Sequence, residues 1–175
     1  DAIMVGEVRD AETAQLVIHA SLTGHIVLST LHTNNALGVV PRLIDMGIDP
    51  YLIPSTLNIA AAQRLVRKLC PDCKEKVKPA APILKIIEET VKEIPDVEKK
   101  EFKIEPPYYV WVAKGCAKCG NKGTMGRVAL FEVMEMSKEY EKIILKRPTT
   151  SEIEAEAARQ KMVTMKMDAV IKSLI

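Results

Sequence analysis

Four cysteines form the clearest chemical pattern in the chain. Cys70 and Cys73 make one Cys-x2-Cys pair, and Cys116 and Cys119 make a second pair after 42 intervening residues. Two such pairs supply four thiolates, the tetrahedral set that a structural zinc ion takes. Two disulfides or a redox-active pair are the alternatives. We favour zinc, in a site that four protein ligands close and that therefore stabilises structure instead of catalysing a reaction.

A carboxylate near the start of the chain is a second candidate for chemistry. Glu7 follows Gly6 and the apolar run of residues 2–5. It is expected at the C-terminal end of a buried strand, where open α/β sheets bind their ligands. A carboxylate there can orient a water molecule or hold Mg²⁺ through water. The alternative is a solvated acid with no function.

Two histidines flank the next apolar run, residues 26–30. His25 precedes the run and His32 follows it, so His32 is expected at the same sheet edge as Glu7. An imidazole at that edge can donate a hydrogen bond to a phosphate oxygen. A hydrogen-bonded structural histidine is the alternative for both, and we favour it for His19.

Two further observations concern phosphate binding. Arg9 is a candidate contact for a phosphate or a second subunit, although an ion pair with Asp10 or Glu12 is its default role. Neither G-x-x-x-x-G-K-[ST] nor G-x-G-x-x-G occurs in the chain. A nucleotide site therefore cannot be completed from these residues alone.

The elements that must position these residues follow from local signals. Residues 2–5 and 26–30 are apolar enough for buried strands, and Asp10 is an N-cap for a helix over residues 11–22 that ends before Gly24. Two strands joined by one helix predict a βαβ unit. Their near-continuous apolar character predicts a parallel sheet covered on both faces.

The rest of the chain has weaker signals. Residues 61–69 fit either a strand or a helix. The remaining predictions are a helix over 36–46 kinked at Pro41, a helix over 50–58 capped by Asp49, a helix over 83–93, strands over 108–112 and 127–134, and a helical tail from Ser137 with a Ser151–Glu154 capping box.

Composition limits the class of protein. The 175 residues are 47% apolar and have a formal charge of +2. These values exclude collagen, low-complexity disorder and a disulfide-rich secreted scaffold, and they imply no strong attraction to nucleic acid or lipid. Because the chain starts directly in a strand without a signal peptide, we expect further residues upstream.

Several segments resemble the secretion ATPases, the motors of type II secretion and type IV pilus assembly. Residues 3–14, IMVGEVRDAETA, resemble their Walker B segment, and residues 23–34, TGHIVLSTLHTN, resemble their histidine box. Residues 63–73, QRLVRKLCPDC, the GCAKC of 115–119 and the GRVALFE of 126–132 also match. The resemblance covers essentially the whole chain, in the order of the family.

The resemblance implies an α/β fold: a truncated RecA-like P-loop NTPase domain with a small zinc-binding subdomain and a helical C-terminal tail. Glu7 corresponds to the Walker B glutamate, which supports Mg²⁺ and the attacking water. His32 corresponds to the histidine that senses the γ-phosphate of ATP, with His25 as its partner. Gly6 stands where Walker B motifs usually have Asp, and Arg9 is a further candidate for cofactor binding. The Walker A loop would lie upstream.

The resemblance also implies a function and an organisation. The complete protein would hydrolyse ATP as a homo-hexamer, with ATP, Mg²⁺ and zinc as cofactors, whereas this fragment alone would be inactive. It would be cytoplasmic, peripheral at the inner membrane, bound to an inner-membrane platform protein and not to nucleic acid. The expected regions are a core half over 1–69, the zinc subdomain over 70–126 and a strand with helices over 127–175.

Two other functions are weighed against this one. The first is a zinc-ribbon module for RNA or protein, but Tyr108, Tyr109 and Trp111 precede the second cysteine pair and are not interleaved with basic residues. The second is a retraction motor of the same superfamily. The four cysteines argue against it, because those relatives lack them.

Overall fold

The chain begins with the βαβ unit that its sequence predicts. In the computed structural model, which describes all 175 residues, strand β1 covers Ala2–Val8, helix α1 covers Ala11–Leu22 and strand β2 covers Ile26–Leu31. The two strands pair in parallel. Asp10 caps α1 by accepting a hydrogen bond from the Thr13 N–H at 2.8 Å, as expected.

Strand β1 continues past the residue at which it was expected to end. The register is regular up to the pair Val5 and Ser29, becomes irregular, and resumes where Val8 pairs with Leu31. Gly6 therefore does not terminate the strand, and Glu7 belongs to it. Apolar runs locate the centre of a strand, whereas its ends depend on backbone pairing that the run does not encode.

Only one face of the β1–β2 sheet is covered. Met4 is 81% exposed and Leu28 is 61% exposed, while Ala14 and Ile18 of α1 are buried. The prediction of cover on both faces is wrong for these residues. A continuous apolar run is compatible with two covered faces, but it does not specify which element covers each of them.

The segment after β2 forms a shorter helix than expected. Asn35 accepts a hydrogen bond from the Gly38 N–H at 2.9 Å and caps a 3₁₀ turn over Ala36–Gly38, and helix α2 then covers Val39–Asp45. Pro41 is the third residue of α2, a position whose N–H has no partner within a helix. The predicted kink is wrong, because Pro41 interrupts no helical hydrogen bond.

The helix expected over residues 50–58 is shorter than predicted and follows a turn. The Asp49 side chain accepts a hydrogen bond from the Tyr51 N–H at 3.0 Å, and helix α3 covers only Ile53–Thr56. An aspartate followed by proline favours both a helix start and a turn. Here the side chain of Asp49 stabilises the turn.

The remaining elements follow one another in groups of strands and groups of helices. They are β3 over Ile59–Leu69, β4 over Lys74–Val77, α4 over Ala81–Glu93, α5 over Asp96–Glu101, β5 over Val110–Ala113, β6 over Thr124–Glu135, α6 over Lys138–Ile144, α7 over Thr150–Arg159 and α8 over Met165–Leu174. β3 pairs with β6, and β4 pairs antiparallel with β5. The capping box of α7 joins Thr149 to Glu152, not Ser151 to Glu154. None of the helices is long and apolar enough to cross a membrane.

The chain divides into two compact units. Unit 1 comprises residues 1–62 and 133–162, and unit 2 comprises residues 63–132 and 163–175. This division differs from the three regions drawn from the sequence, because β3 and β6 each continue from one unit into the other. Each unit has its own apolar core, centred on Ile53 and Ile144 in unit 1 and on Ile87 and Ile171 in unit 2.

A buried carboxylate links two helices of unit 1. Glu156 on α7 is 3% exposed and accepts hydrogen bonds from Arg159 Nε at 2.6 Å, Ser137 Oγ at 2.6 Å and Gln160 Nε2 at 2.8 Å. Ser137 in turn caps α6. The hydrogen bond from Arg159 outweighs burial and lowers the pKa of Glu156 to about 2.

We expect this network to make unit 1 sensitive to acid. A carboxylate whose pKa falls from 4.5 to about 2 on folding adds stability above pH 4.5 and loses it as the pH falls toward 2. Glu156→Gln should lower the free energy of unfolding by about 3 kcal/mol at neutral pH and flatten its acid dependence. Urea unfolding followed by circular dichroism between pH 7 and pH 2 measures both effects. Glu154→Gln, an exposed position on α7, is the control, and equal effects of both variants would contradict the prediction.

Candidate functional site

The parallel pairing of β1 and β2 brings their C-terminal ends to one sheet edge. At that edge Glu7 contacts both candidate cations: His32 Nε2 contacts Glu7 Oε1, and Arg9 Nε donates a hydrogen bond to Glu7 Oε2 at 2.5 Å. The expected proximity of Glu7 and His32 is confirmed. The default pairing of Arg9 with Asp10 or Glu12 is not observed, since Arg9 pairs with Glu7.

Glu7 is the least exposed member of this group. Its side chain is 20% exposed, whereas those of Arg9 and His32 are 75% and 83% exposed. Burial alone would raise the pKa of Glu7, but the hydrogen bonds and charges of Arg9 and His32 outweigh it and lower the pKa below its ordinary value. The site therefore presents an ionised carboxylate at neutral pH, flanked by two donors that a ligand can reach.

The surface beside Glu7 is open at Gly6. A Cβ added to Gly6 would have no heavy atom within 4 Å, and the backbone of Gly6 does not lie in the left-handed region. The carbonyl of Gly6 accepts a hydrogen bond from Thr30 Oγ1 at 2.7 Å, which joins the two strand ends. Glycine is thus not required here by backbone geometry, and a side chain at this position would enter open space.

His25 lies away from this group. It precedes β2, and its Nδ1 is 3.2 Å from both the Ala20 carbonyl and Thr23 Oγ1. The six residues of β2 separate it from His32, a distance of about 20 Å at the usual rise of a strand. The structure therefore does not bring His25 to Glu7.

Sequence reasoning missed two contacts at the edge, that of Arg9 with Glu7 and that of Thr30 with Gly6. The sequence contained a signal for the first of them. Arg9 directly follows the last residue of β1. Because residues two apart in extended backbone share a face, the spacing of Glu7 and Arg9 could have suggested their contact. The hydrogen bond from Thr30 to Gly6 had no local signal. It depends on the register between β1 and β2.

The four cysteines form a second site, in unit 2. Their sulfur atoms all lie within 4.8 Å of one another, and all four thiols are free. Cys70 follows β3 and Cys73 precedes β4, whose first residue pairs with the last residue of β5. That antiparallel pairing brings the second cysteine pair beside the first. Lys118 and Asp72 also join the two loops, by an ion pair of 2.6 Å.

Backbone N–H groups and burial set the protonation of the sulfurs. Hydrogen bonds from the N–H groups of Cys116, at 3.2 Å, and Gly123, at 3.3 Å, help to lower the pKa of Cys119 to about 6. Burial and the neighbouring thiols raise the pKa of Cys73 to about 12. One thiolate is therefore favoured without a cation, and the full set becomes favoured when a divalent cation compensates the negative charges. The cluster fits a structural zinc ion.

Comparison with known proteins identifies the family. The model of the family described as "Type II/IV secretion system protein" matches residues 1–174. This chain belongs to that family. The family resemblance found in the sequence is thereby confirmed.

Curated relatives of this family member cover much of its length. The type II secretion system ATPase E of Vibrio cholerae is 46% identical over 144 residues, which is 82% of this chain and 26% of that protein. The type IV pilus assembly ATPase PilB of Myxococcus xanthus is 41% identical over 176 residues, which is 99% of this chain and 29% of that protein. The chain thus spans less than a third of the length of these relatives.

A solved structure supports the fold. The X-ray structure of the Legionella pneumophila ATPase DotB matches with a TM-score of 0.56 at 24% identity, over 98% of this chain and 34% of that chain. At this level of identity the likeness concerns the fold alone. It agrees with the α/β arrangement of strands and helices described above.

The loop around the second cysteine pair yields a prediction about glycine. Gly115 has a φ of +96°, and a Cβ there would lie 2.7 Å from the Asn121 carbonyl oxygen. Gly120 has a φ of +59°, with no atom within 4 Å of its Cβ position. Gly120→Ala should cost about 1 kcal/mol of stability from backbone strain, and Gly115→Ala should cost about 2–4 kcal/mol because a steric clash is added.

The free energy of unfolding of both variants is measured by urea titration, with the fluorescence emission of the single tryptophan, Trp111 in β5, as the signal. Gly120→Ala is the matched control for backbone strain without a clash. An equal loss in the two variants would show that the loop moves away from the added methyl group.

Proposed function

We propose that this chain is part of an ATP-hydrolysing motor of a type II secretion or type IV pilus assembly system. The family membership and the printed names of its relatives support the proposal. The observation that carries it is local: an ionised Glu7, paired with Arg9 and His32, lies at the C-terminal edge of two parallel strands. Ligands of open α/β sheets bind at such edges.

Each residue of the edge has a proposed role. Glu7 orients the attacking water and supports Mg²⁺, a role that its low pKa favours because the carboxylate stays ionised. His32 donates a hydrogen bond to the γ-phosphate, and its high exposure leaves it accessible. Gly6 leaves open space for the nucleotide, and Arg9 fixes the second carboxylate oxygen of Glu7. Bound ATP with Mg²⁺ supplies the transferable phosphoryl group.

We propose that the same contacts couple hydrolysis to movement. His32 can bind either Glu7 or a phosphate oxygen, so loss of the γ-phosphate changes its partner. Contacts to a γ-phosphate are a common trigger of conformational switching. Such a switch would drive a RecA-like homo-hexamer that lies in the cytoplasm, peripheral to the inner membrane, and acts on a platform protein there.

The four cysteines have a structural role in this proposal. Cys70, Cys73, Cys116 and Cys119 would bind one zinc ion, a ligand set supported by their mutual distances. Four thiolate ligands leave no open position for a substrate. The ion would stabilise the loops around β4 and β5.

Glu7→Gln tests the catalytic role. In the complete protein that contains this chain, the substitution should lower Mg²⁺-dependent ATP turnover by about 100-fold or more, because the amide cannot accept a proton or support the metal. Phosphate release under saturating ATP measures the effect. Glu12→Gln, an exposed position on α1, should retain normal turnover. Normal hydrolysis by Glu7→Gln would overturn the assignment.

Metal analysis tests the cysteine site independently of ATP. The purified chain should contain about one zinc per chain, and the variant with all four cysteines replaced by serine should contain none. His19→Ala combined with His25→Ala should retain the zinc, since neither histidine belongs to the cluster. Chelation should increase hydrogen exchange around the cysteine loops and leave β1 and β2 unchanged. Zinc retained by the serine variant would rule out the proposed ligands.

A further inference from the structure

Unit 2 contains a cavity that neither proposed site uses. Its volume is about 400 Å³, within the range of small-molecule pockets. It lies among β3, β6, α8 and the start of β4, and Trp111 of β5 contributes to its wall. Its apolar lining comes from Val66, Leu69, Val128, Leu130 and Ala169.

All the charged side chains that line the cavity are cationic. Arg67, Lys68, Lys74 and Lys172 line it, and no acidic residue does. Lys172 already pairs with Asp168 at 2.5 Å, and the ammonium of Lys74 lies 4.1 Å from the centre of the Trp111 ring. Arg67 and Lys68 are exposed on β3. The cavity thus combines an apolar interior with positive charge at its rim.

The charge of unit 2 reinforces this local arrangement. Unit 2 contains 17 basic and 11 acidic residues, a formal charge of +6, whereas unit 1 contains 8 basic and 12 acidic residues, a formal charge of −4. The overall charge of +2 conceals this division. An anion that approaches the cavity is therefore attracted by the whole of unit 2 as well as by the rim.

We propose that this cavity binds an amphipathic anion, an apolar chain or ring that carries a carboxylate. The apolar part lies against Val66, Leu69, Val128 and Leu130. The carboxylate interacts with the exposed cations of the rim, Arg67 and Lys68. This site includes none of the proposed ATP or zinc ligands, although Leu69 and Lys74 are the chain neighbours of Cys70 and Cys73.

Decanoate is the probe, and decanol is its uncharged counterpart. Trp111 is the only tryptophan of the chain, so its emission reports directly on the cavity. Decanoate, added below the concentration at which it aggregates, should change the emission saturably and should bind at least about tenfold more tightly than decanol. Equal affinities would overturn the anionic part of the proposal. No saturable change with decanoate, together with no heat in calorimetry, would overturn all of it.

Two variants test whether the ligand occupies this cavity. Arg67→Met combined with Lys68→Met should raise the Kd of decanoate about tenfold and leave that of decanol unchanged. Lys122→Met removes an exposed cation of unit 2 that does not line the cavity, and it should change the Kd less than about twofold. An equal loss in Lys122→Met would mean that only the total charge matters and would overturn the site.

Ala169→Phe tests occupancy by steric block. The larger ring fills part of the cavity and should abolish decanoate binding, while circular dichroism checks that the chain stays folded. Unchanged binding by the folded variant would place the ligand elsewhere and overturn the proposal. If the variant does not fold, the pair of charge variants decides the question.

Discussion

The parallel register between β1 and β2 is the constraint on which the proposed catalytic site depends. Because Ala2 pairs with Ile26 and both strands run in the same direction, the strands end at one edge and place Glu7 next to His32. A shift by one residue would turn every side chain of one strand to the opposite face. The hydrogen bond from Thr30 to Gly6 joins the two strands within the irregular stretch between Val5 and Val8. The carboxylate is thus positioned by backbone pairing more than by its own side-chain contacts.

Much of the fold could be predicted because its signals are local. The cap at Asp10 and the helices α1 and α4 all depend on residues within a few positions, and the predicted bounds agree closely with the structure. The errors occur where two local signals compete. Asp49 before a proline fits a turn or a helix, and Thr149 competes with Ser151 for the cap of α7. The short, highly charged helix α5 gave no apolar period to detect.

The candidate sites could be predicted to different degrees. The cysteine cluster could be predicted from spacing, because two Cys-x2-Cys pairs are typical of a zinc site with four sulfur ligands. The structure places the four sulfur atoms within 4.8 Å of one another. The edge site needed the strand pairing, so the hydrogen bond from Thr30 to Gly6 and the distant position of His25 were beyond local reasoning. The cavity of unit 2 could not be predicted at all, since its walls come from segments about a hundred residues apart in the chain. Pockets of that kind exist only once non-local packing is complete.

The two units are interleaved along the chain, and this has a consequence for biosynthesis. Unit 1 needs residues 133–162, which leave the ribosome only after most of unit 2 has been made, and unit 2 needs residues 163–175. Unit 1 can therefore not finish folding until most of unit 2 has also been synthesised, unlike a domain that is continuous in the chain. Until then the core residues Val8 and Ile18 lack their later partners Tyr140 and Ile144, a period in which chaperones have the most to contribute.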